Sequence, residues 1–200
     1  MSAVDAPRVL GIAGSPRRRG NSERLLDECL AGVGEGGGVA EKLVVVEHDI
    51  APCNACGGCA MTGRCVVADD MAEVYGRLDA SDAVIVASPV YFATVPAVLK
   101  ALYDRMQPYW VRRYLLGETV ALRRPGALLL VRGGGDPYGF SSAVAPTRSV
   151  FAVLGIDCTE ELSVEGPDAP GDIERFPDEL VRAARAGHAL VEAVSRRATP

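Results

Sequence analysis

Two stretches of this chain hold residue types whose spacing could do chemistry. The first is Cys53-x2-Cys56-x2-Cys59-x5-Cys65, four thiols gathered in one short segment. Two consecutive C-x-x-C turns can wrap one face of a metal centre, and Gly57 and Gly58 let the backbone fold tightly with N–H groups directed at sulfur. Ferredoxins open their cluster sites with the same C-x-x-C-x-x-C run. A zinc site with four cysteine ligands is one alternative, although such sites usually pair two separated knuckles. Free thiols and a disulfide are others. The remaining cysteines read differently: Cys29 lies on the apolar stripe of a helix and Cys158 in a strand, where a thiol is a small hydrophobe.

The second stretch runs from Val9 to Leu26, VLGIAGSPRRRGNSERLL. An apolar run breaks at Gly14-Ser15-Pro16, a polar loop follows, and apolar residues then recur with helical period at Leu25, Leu26, Cys29, Leu30 and Val33. The pattern predicts strand, loop and amphipathic helix, with Asn21 or Ser22 as N-cap and Glu23 in the first turn. A loop of small and polar residues ahead of a helix N-terminus is a ready anion site, because free N–H groups and the positive end of the dipole converge there. Ser15, Ser22, Asn21 and one of Arg17 to Arg19 could complete a phosphate cradle. The loop lacks the Gly-Lys-Ser/Thr ending of a triphosphatase and the G-x-G-x-x-G of a dinucleotide fold. A monophosphate such as that of flavin mononucleotide remains, against the plainer alternative of a surface loop with solvated arginines.

The elements that must position these residues alternate along the chain. Further strands are expected at Leu43 to Val46, Ala83 to Ala87, Ala127 to Val131 and Ile156 to Val164. Asp70-x-x-Glu73 resembles a capping box opening a short helix, and Pro96 sits in the first turn of the next. Helices are also expected over about 140–154 and 178–196, while Gln107 to Arg124 is ambiguous. Continuous apolar strands alternating with helices mark a parallel sheet covered on both faces. Five such units fit an α/β, doubly wound, flavodoxin-like three-layer sandwich with strand order 2-1-3-4-5, whose ligand site lies outside the carboxyl ends of the strands. The loops after the first, third and fourth strands, GSPRRRGNS, SPVYFATVP and RGGGDPYGF, should then share one crevice. A single domain over 1–200 is expected, with the cysteine loop 51–68 inserted after the second strand.

Composition narrows the function classes. A net charge of −5 argues against a nucleic-acid binder. No apolar run approaches the ~20 residues of a membrane helix. The N-terminal MSAVDAPRV lacks the pattern of a secretory leader, so a cytoplasmic location is expected. No Ser-His-Asp or zinc-hydrolase pattern is present, no catalytic acid or base is assigned, and His48 and His188 read as structural.

The combination Gly14-Ser15-Pro16-Arg17 with Gly20-Asn21-Ser22, Asp69-Asp70-Met71, Ser88-Pro89-Val90-Tyr91-Phe92 and Leu99-Lys100-x3-Asp104-Arg105 resembles the NADPH-dependent FMN reductase superfamily over about residues 8 to 160. Within it, the cysteine loop is similar to that of the iron-sulfur flavoproteins. The resemblance implies bound FMN, NAD(P)H as a possible co-substrate, and homodimers or homotetramers. It implies that Ser15, Arg17, Asn21 and Ser22 hold the FMN phosphate, that Pro89, Val90, Tyr91 and Phe92 lie against the isoalloxazine, and that Gly133, Gly134 and Gly135 allow close backbone approach to it. By the same resemblance, Cys53, Cys56, Cys59 and Cys65 hold a [4Fe–4S] cluster. The expected activity is electron transfer between a donor and an acceptor through FMN. The alternatives are a plain NAD(P)H:FMN or quinone reductase without a cluster, and a non-enzymatic flavin-binding redox sensor or carrier.

Overall fold

The computed structural model describes residues 6–120 and 122–198. Most of the N-terminal stretch read above for a leader lies outside them. Five strands, β1 (Arg8–Ala13), β2 (Val39–Val44), β3 (Ala83–Pro89), β4 (Arg124–Arg132) and β5 (Ile156–Glu165), form one sheet in the order β2-β1-β3-β4-β5. Every pairing is parallel. This is the flavodoxin-like arrangement expected from the alternation of elements.

Period-two alternation sorts the strand side chains between the two faces. Val9, Ala13, Ile85, Ala87 and Leu129 pack with Leu25, Leu26 and Cys29 of α1 (Asn21–Glu35) and Leu190 of α6 (Pro177–Ala198). Leu10, Ile12, Val84, Val86, Leu128 and Leu130 point the other way. They meet α2 (Met71–Asp79), α3 (Ala97–Asp104) and α5 (Ser141–Leu154). Cys29 is fully buried in the first core, and burial pushes its thiol up to about 12. Cys158 is half-buried against the second. Both cysteines are the packing residues the sequence predicts.

Several local expectations are corrected. The second strand ends at Val44, and Val45–Glu47 forms a 3-10 turn. The N-cap of α1 is Gly20, not Asn21 or Ser22. The Asp70-x-x-Glu73 pair makes no capping box: Asp69 Oδ1 accepts the Met71 N–H at 3.1 Å, and Asp70 Oδ2 accepts that of Asp49 at 2.7 Å. In the ambiguous segment, Gln107–Tyr114 is a helix, α4.

Helices α1 and α6 touch backbone to backbone. A Cβ on Gly32 would fall on the carbonyl oxygen of Ala184, and one on Gly187 on that of Cys29. Glycine at both positions is a packing requirement of the crossing. Gly32→Ala or Gly187→Ala should therefore destabilise by about 1–3 kcal/mol or more, since neither backbone can move aside as a side chain would. Gly76, in α2, has open space at its Cβ position, and Gly76→Ala should stabilise by about 0.5–1 kcal/mol. Urea unfolding midpoints of the three variants check both signs.

Candidate functional site

A parallel sheet delivers the carboxyl ends of its strands to one rim, and the loops after β1, β3 and β4 meet there. The cleft they form has a volume of about 80 Å³ and is lined by Ser15, Arg17, Gly20, Asn21, Ser22, Pro89, Val90, Tyr91, Val131, Arg132, Gly133, Pro167 and Asp168. Of the residues singled out in the sequence, Phe92, Gly134 and Gly135 do not line it. Pro167 and Asp168 were missed. They follow β5, whose carboxyl end opens on the same rim, so topology was the signal that could have found them.

The first loop is shaped by short tethers. The Gly14 N–H donates to Ala87 O at 2.8 Å, joining the loop to β3. A Cβ on Gly14 would strike Leu99, so glycine lets α3 pack directly beneath. Ser15 Oγ accepts the Arg17 N–H at 3.0 Å. Glu23, 3% exposed, takes the Arg19 N–H at 2.6 Å, Arg18 Nη1 at 2.6 Å and Lys42 Nζ at 3.2 Å. Burial penalises the Glu23 charge, yet the Arg19 amide and the Lys42 and Arg18 cations outweigh it and hold the carboxyl below its usual range. Arg18 also reaches Glu47 at 2.8 Å, so it is drawn off toward β2. Of these three arginines, only Arg17 lines the cleft, with Nη1 on Asp168 O at 3.3 Å.

The first helical N–H bonded to a carbonyl is that of Arg24, on Gly20 O at 2.9 Å. The N–H groups of Asn21, Ser22 and Glu23 are the orphan donors of the first turn and project forward from the helix. The Asn21 side chain is engaged elsewhere: Nδ2 donates to Ala169 O at 3.0 Å and Oδ1 accepts the Ile173 N–H at 3.2 Å. It ties the turn after β5 to the cleft.

The loop after β3 forms the facing wall. The Val90 N–H donates to Val131 O at 2.8 Å, extending the sheet by one bond. Tyr91 and Thr94 then exchange two backbone bonds across Phe92 and Ala93, both at positive φ, 47° and 67°. Positive φ at both central residues belongs to a tight hairpin turn that normally selects Gly or Asn, and a bulky residue there is strained. The turn leaves Phe92 fully exposed and Tyr91 at the cleft edge. Gly133 faces Asp168, whose carboxylate a Cβ would meet.

The cysteine loop makes a second cavity of about 280 Å³. Cys53, Cys56, Cys59 and Cys65 all line it, with Gly57, Val66, Arg105 and the Pro108, Val111 and Leu115 face of α4 and its end. Left-handed backbone at Ala55 (φ 56°) and Gly57 (φ 74°) turns the chain around this space. All six cysteines are unpaired. Burial, reinforced by the three neighbouring thiols, raises the Cys59 pKa. Among the described residues, no three His, Cys, Asp or Glu side chains converge as a ligand set for a single ion. His48 bonds Val44 O at 2.9 Å, and His188 is exposed beside Glu192.

An open α/β sheet with a helix N-terminus facing a cleft at its switch point, walled by an aromatic turn, defines the flavodoxin-like class. The chain belongs to the NADPH-dependent FMN reductase family, which it matches over residues 7–164. It is 32% identical to an iron-sulfur flavoprotein of Archaeoglobus fulgidus over 93% of this chain and 80% of that one. An iron-sulfur flavoprotein of Methanosarcina thermophila is 42% identical over 63% of each chain. A similar fold occurs in the NAD(P)H:quinone oxidoreductase from Methanothermobacter marburgensis, with a TM-score of 0.68 at 20% identity, covering 92% of this chain and 99% of that one. The chain is a flavin-dependent oxidoreductase, and FMN is the cofactor its family defines.

At the foot of the second cavity, Asp69 and Arg105 form an ion pair with side chains 7% and 1% exposed. The Arg105 guanidinium holds the Asp69 carboxyl below its usual range, against its burial. A depressed carboxyl contributes stability above the unfolded pKa of about 4 and loses it as pH falls through the folded value. Asp69→Asn should therefore destabilise by about 3–5 kcal/mol at pH 7, since it strands a buried cation. The gap to the unsubstituted protein should narrow below about pH 4, as thermal melts across pH 3 to 7 would report.

Proposed function

We propose that this chain binds FMN at the rim cleft and a [4Fe–4S] cluster in the cysteine cavity, and passes electrons between a donor and an acceptor through them. The observation that carries the flavin half is the convergence of the loops after β1, β3 and β4 on the N-terminus of α1. A cleft of about 80 Å³ suits a phosphate, while the open edge at Tyr91 leaves a flat group free to lie outside it. Ser15 and Ser22 hydroxyls, the forward N–H groups of α1 and the Arg17 guanidinium would hold the phosphate, with Asn21 fixing the far wall. Pro89, Val90 and Tyr91 would form the apolar face against the ring, Phe92 would flank it from outside, and Gly133, Gly134 and Gly135 would let the backbone approach. Bound FMN supplies two-electron acceptance and release, and a cluster would divide these into single-electron steps.

The cluster half is supported by donor chemistry. Four soft thiols around one cavity suit a group that takes one thiolate on each of four irons. NAD(P)H is the proposed donor. A reducing, cytoplasmic setting fits six unpaired cysteines, and exposed Trp110, Tyr114 and Leu115 fit assembly as a homodimer or homotetramer. Among the described residues, no helix is long and apolar enough to cross a membrane. A plain reductase whose cysteines hold no metal is the alternative. It would show flavin absorption alone after anaerobic purification, with no iron or acid-labile sulfide.

Charge-assisted phosphate bonds contribute about 1.5–3 kcal/mol each. Arg17→Ala with Ser22→Ala should weaken FMN binding by about a hundredfold or more, while leaving riboflavin, which has no phosphate, close to its original affinity. Fluorescence titration with both ligands is the measurement. Equal losses for the two would place the phosphate elsewhere.

A further inference from the structure

Arg105 ends α3 and is among the largest fully buried side chains of the protein. Its backbone carbonyl accepts the Tyr75 hydroxyl at 2.6 Å, which fixes where the side chain starts. From there Nη1 donates to Ala51 O at 2.7 Å and to Asp69 Oδ2 at 2.5 Å. Nη2 donates to Asp69 Oδ1 at 3.0 Å and lies 3.5 Å from Cys65 Sγ. One guanidinium thus grips the segment where the cysteine loop begins, the segment where it ends, and one of its four sulfurs. Among the described residues, Nε is buried with no hydrogen-bond partner. A buried N–H left unsatisfied is costly, so a cation kept here despite that cost points to a role beyond packing.

The chemistry of the contact supplies one. Hydrogen bonds to ligand sulfur and net local charge are two levers by which a protein sets the reduction potential of a sulfur-ligated centre. An arginine cannot lose its proton in a protein, so its charge stays beside the centre in both oxidation states. Its planar fork can hold a carboxylate bidentately while a further N–H faces sulfur, which a lysine cannot match. The neighbouring Asp69 carboxylate offsets the charge, so the pair together defines the field at Cys65.

We infer that Arg105 is a positioning residue for the centre held by Cys53, Cys56, Cys59 and Cys65: it closes the loop at both ends, orients Cys65, and favours the reduced state of that centre. The inference rests on the iron–sulfur reading above. Reduction of such a centre would add one electron supplied by the proposed donor through the flavin, and Arg105 would give up neither electron nor proton.

The test uses the full chain reconstituted anaerobically with iron and sulfide, as wild type, Arg105→Lys, Arg105→Gln and the double variant Arg105→Gln/Asp69→Asn. Iron and sulfide content, midpoint potential by spectroelectrochemistry, and hydrogen exchange over 51–68 are read for each. Arg105→Gln should move the potential to more negative values and raise exchange in 51–68 by about tenfold or more. Arg105→Lys should loosen the loop similarly but shift the potential less. The double variant, with the local charge rebalanced, should recover potential without recovering protection. A wild-type potential together with wild-type exchange in either single variant overturns the inference, and Arg105→Lys serves alone should Arg105→Gln fail to fold. Wild type that takes up no iron instead refutes the iron–sulfur reading and with it the effect on potential. The loop-closing role then stands or falls on the exchange data of the same variants.

Discussion

The constraint on which this structure depends is the burial of a parallel sheet on both faces. Helices α1 and α6 cover one side and α2, α3 and α5 the other, so neither face is open to a ligand. What stays accessible is the pair of rims, and parallel strands send all five carboxyl ends to the same one. The cleft at the loops after β1, β3 and β4 is therefore built on one edge without any contact designed to bring them there, whereas the cysteine cavity lies against the end of α3 and the face of α4. The backbone contact of α1 with α6 through Gly32 and Gly187 serves the same end, because it fixes the axis along which the first-turn N–H groups of α1 point.

Three successive arginines beside a helix N-terminus raise an electrostatic difficulty, since like charges repel each other and the positive end of the dipole. Glu23 resolves it. A carboxylate in the first turn is favoured by the dipole, and here it is also buried and takes the Arg19 amide, Arg18 and Lys42. Arg18 is thereby committed on the side of β2, and the backbone at Arg19 is held at a positive φ of 55°. Arg17 is left at the cleft as a positioned cation. The loop owes its shape more to this acid than to the arginines that make it conspicuous in the sequence.

Strands β1, β3 and β4 were legible because buried parallel strands are continuous apolar runs. β2 was displaced because it is an edge strand: Val39 to Lys42 are mostly exposed and only Leu43 and Val44 are buried, so apolar density marked its end rather than its extent. Helix α4 was hidden for a related reason. Its sequence, QPYWVRRY, buries only Pro108 and Val111, too few to reveal a period. The cleft residues on the first three loops were legible from their types, whereas Pro167 and Asp168 have no signature and enter only through the parallel topology. Asn21 lines the cleft, but spacing could not tell that its amide faces the turn after β5 rather than the helix it opens.

The segment that resisted assignment also completes the second cavity. Pro108, Val111 and Leu115 place an apolar wall opposite the four cysteines, and Arg112 Nε donates to Gly63 O at 2.8 Å, fastening the loop to α4. The buried part of that wall, Val111 beside buried Arg105, lowers the local dielectric around the Asp69–Arg105 ion pair and strengthens it. Arg105 is the cation in the lining of this cavity among the described residues, and Asp69 offsets its charge. The charge at this cavity is therefore set by the residue that ends α3, and its apolar wall by α4, rather than by the cysteines themselves.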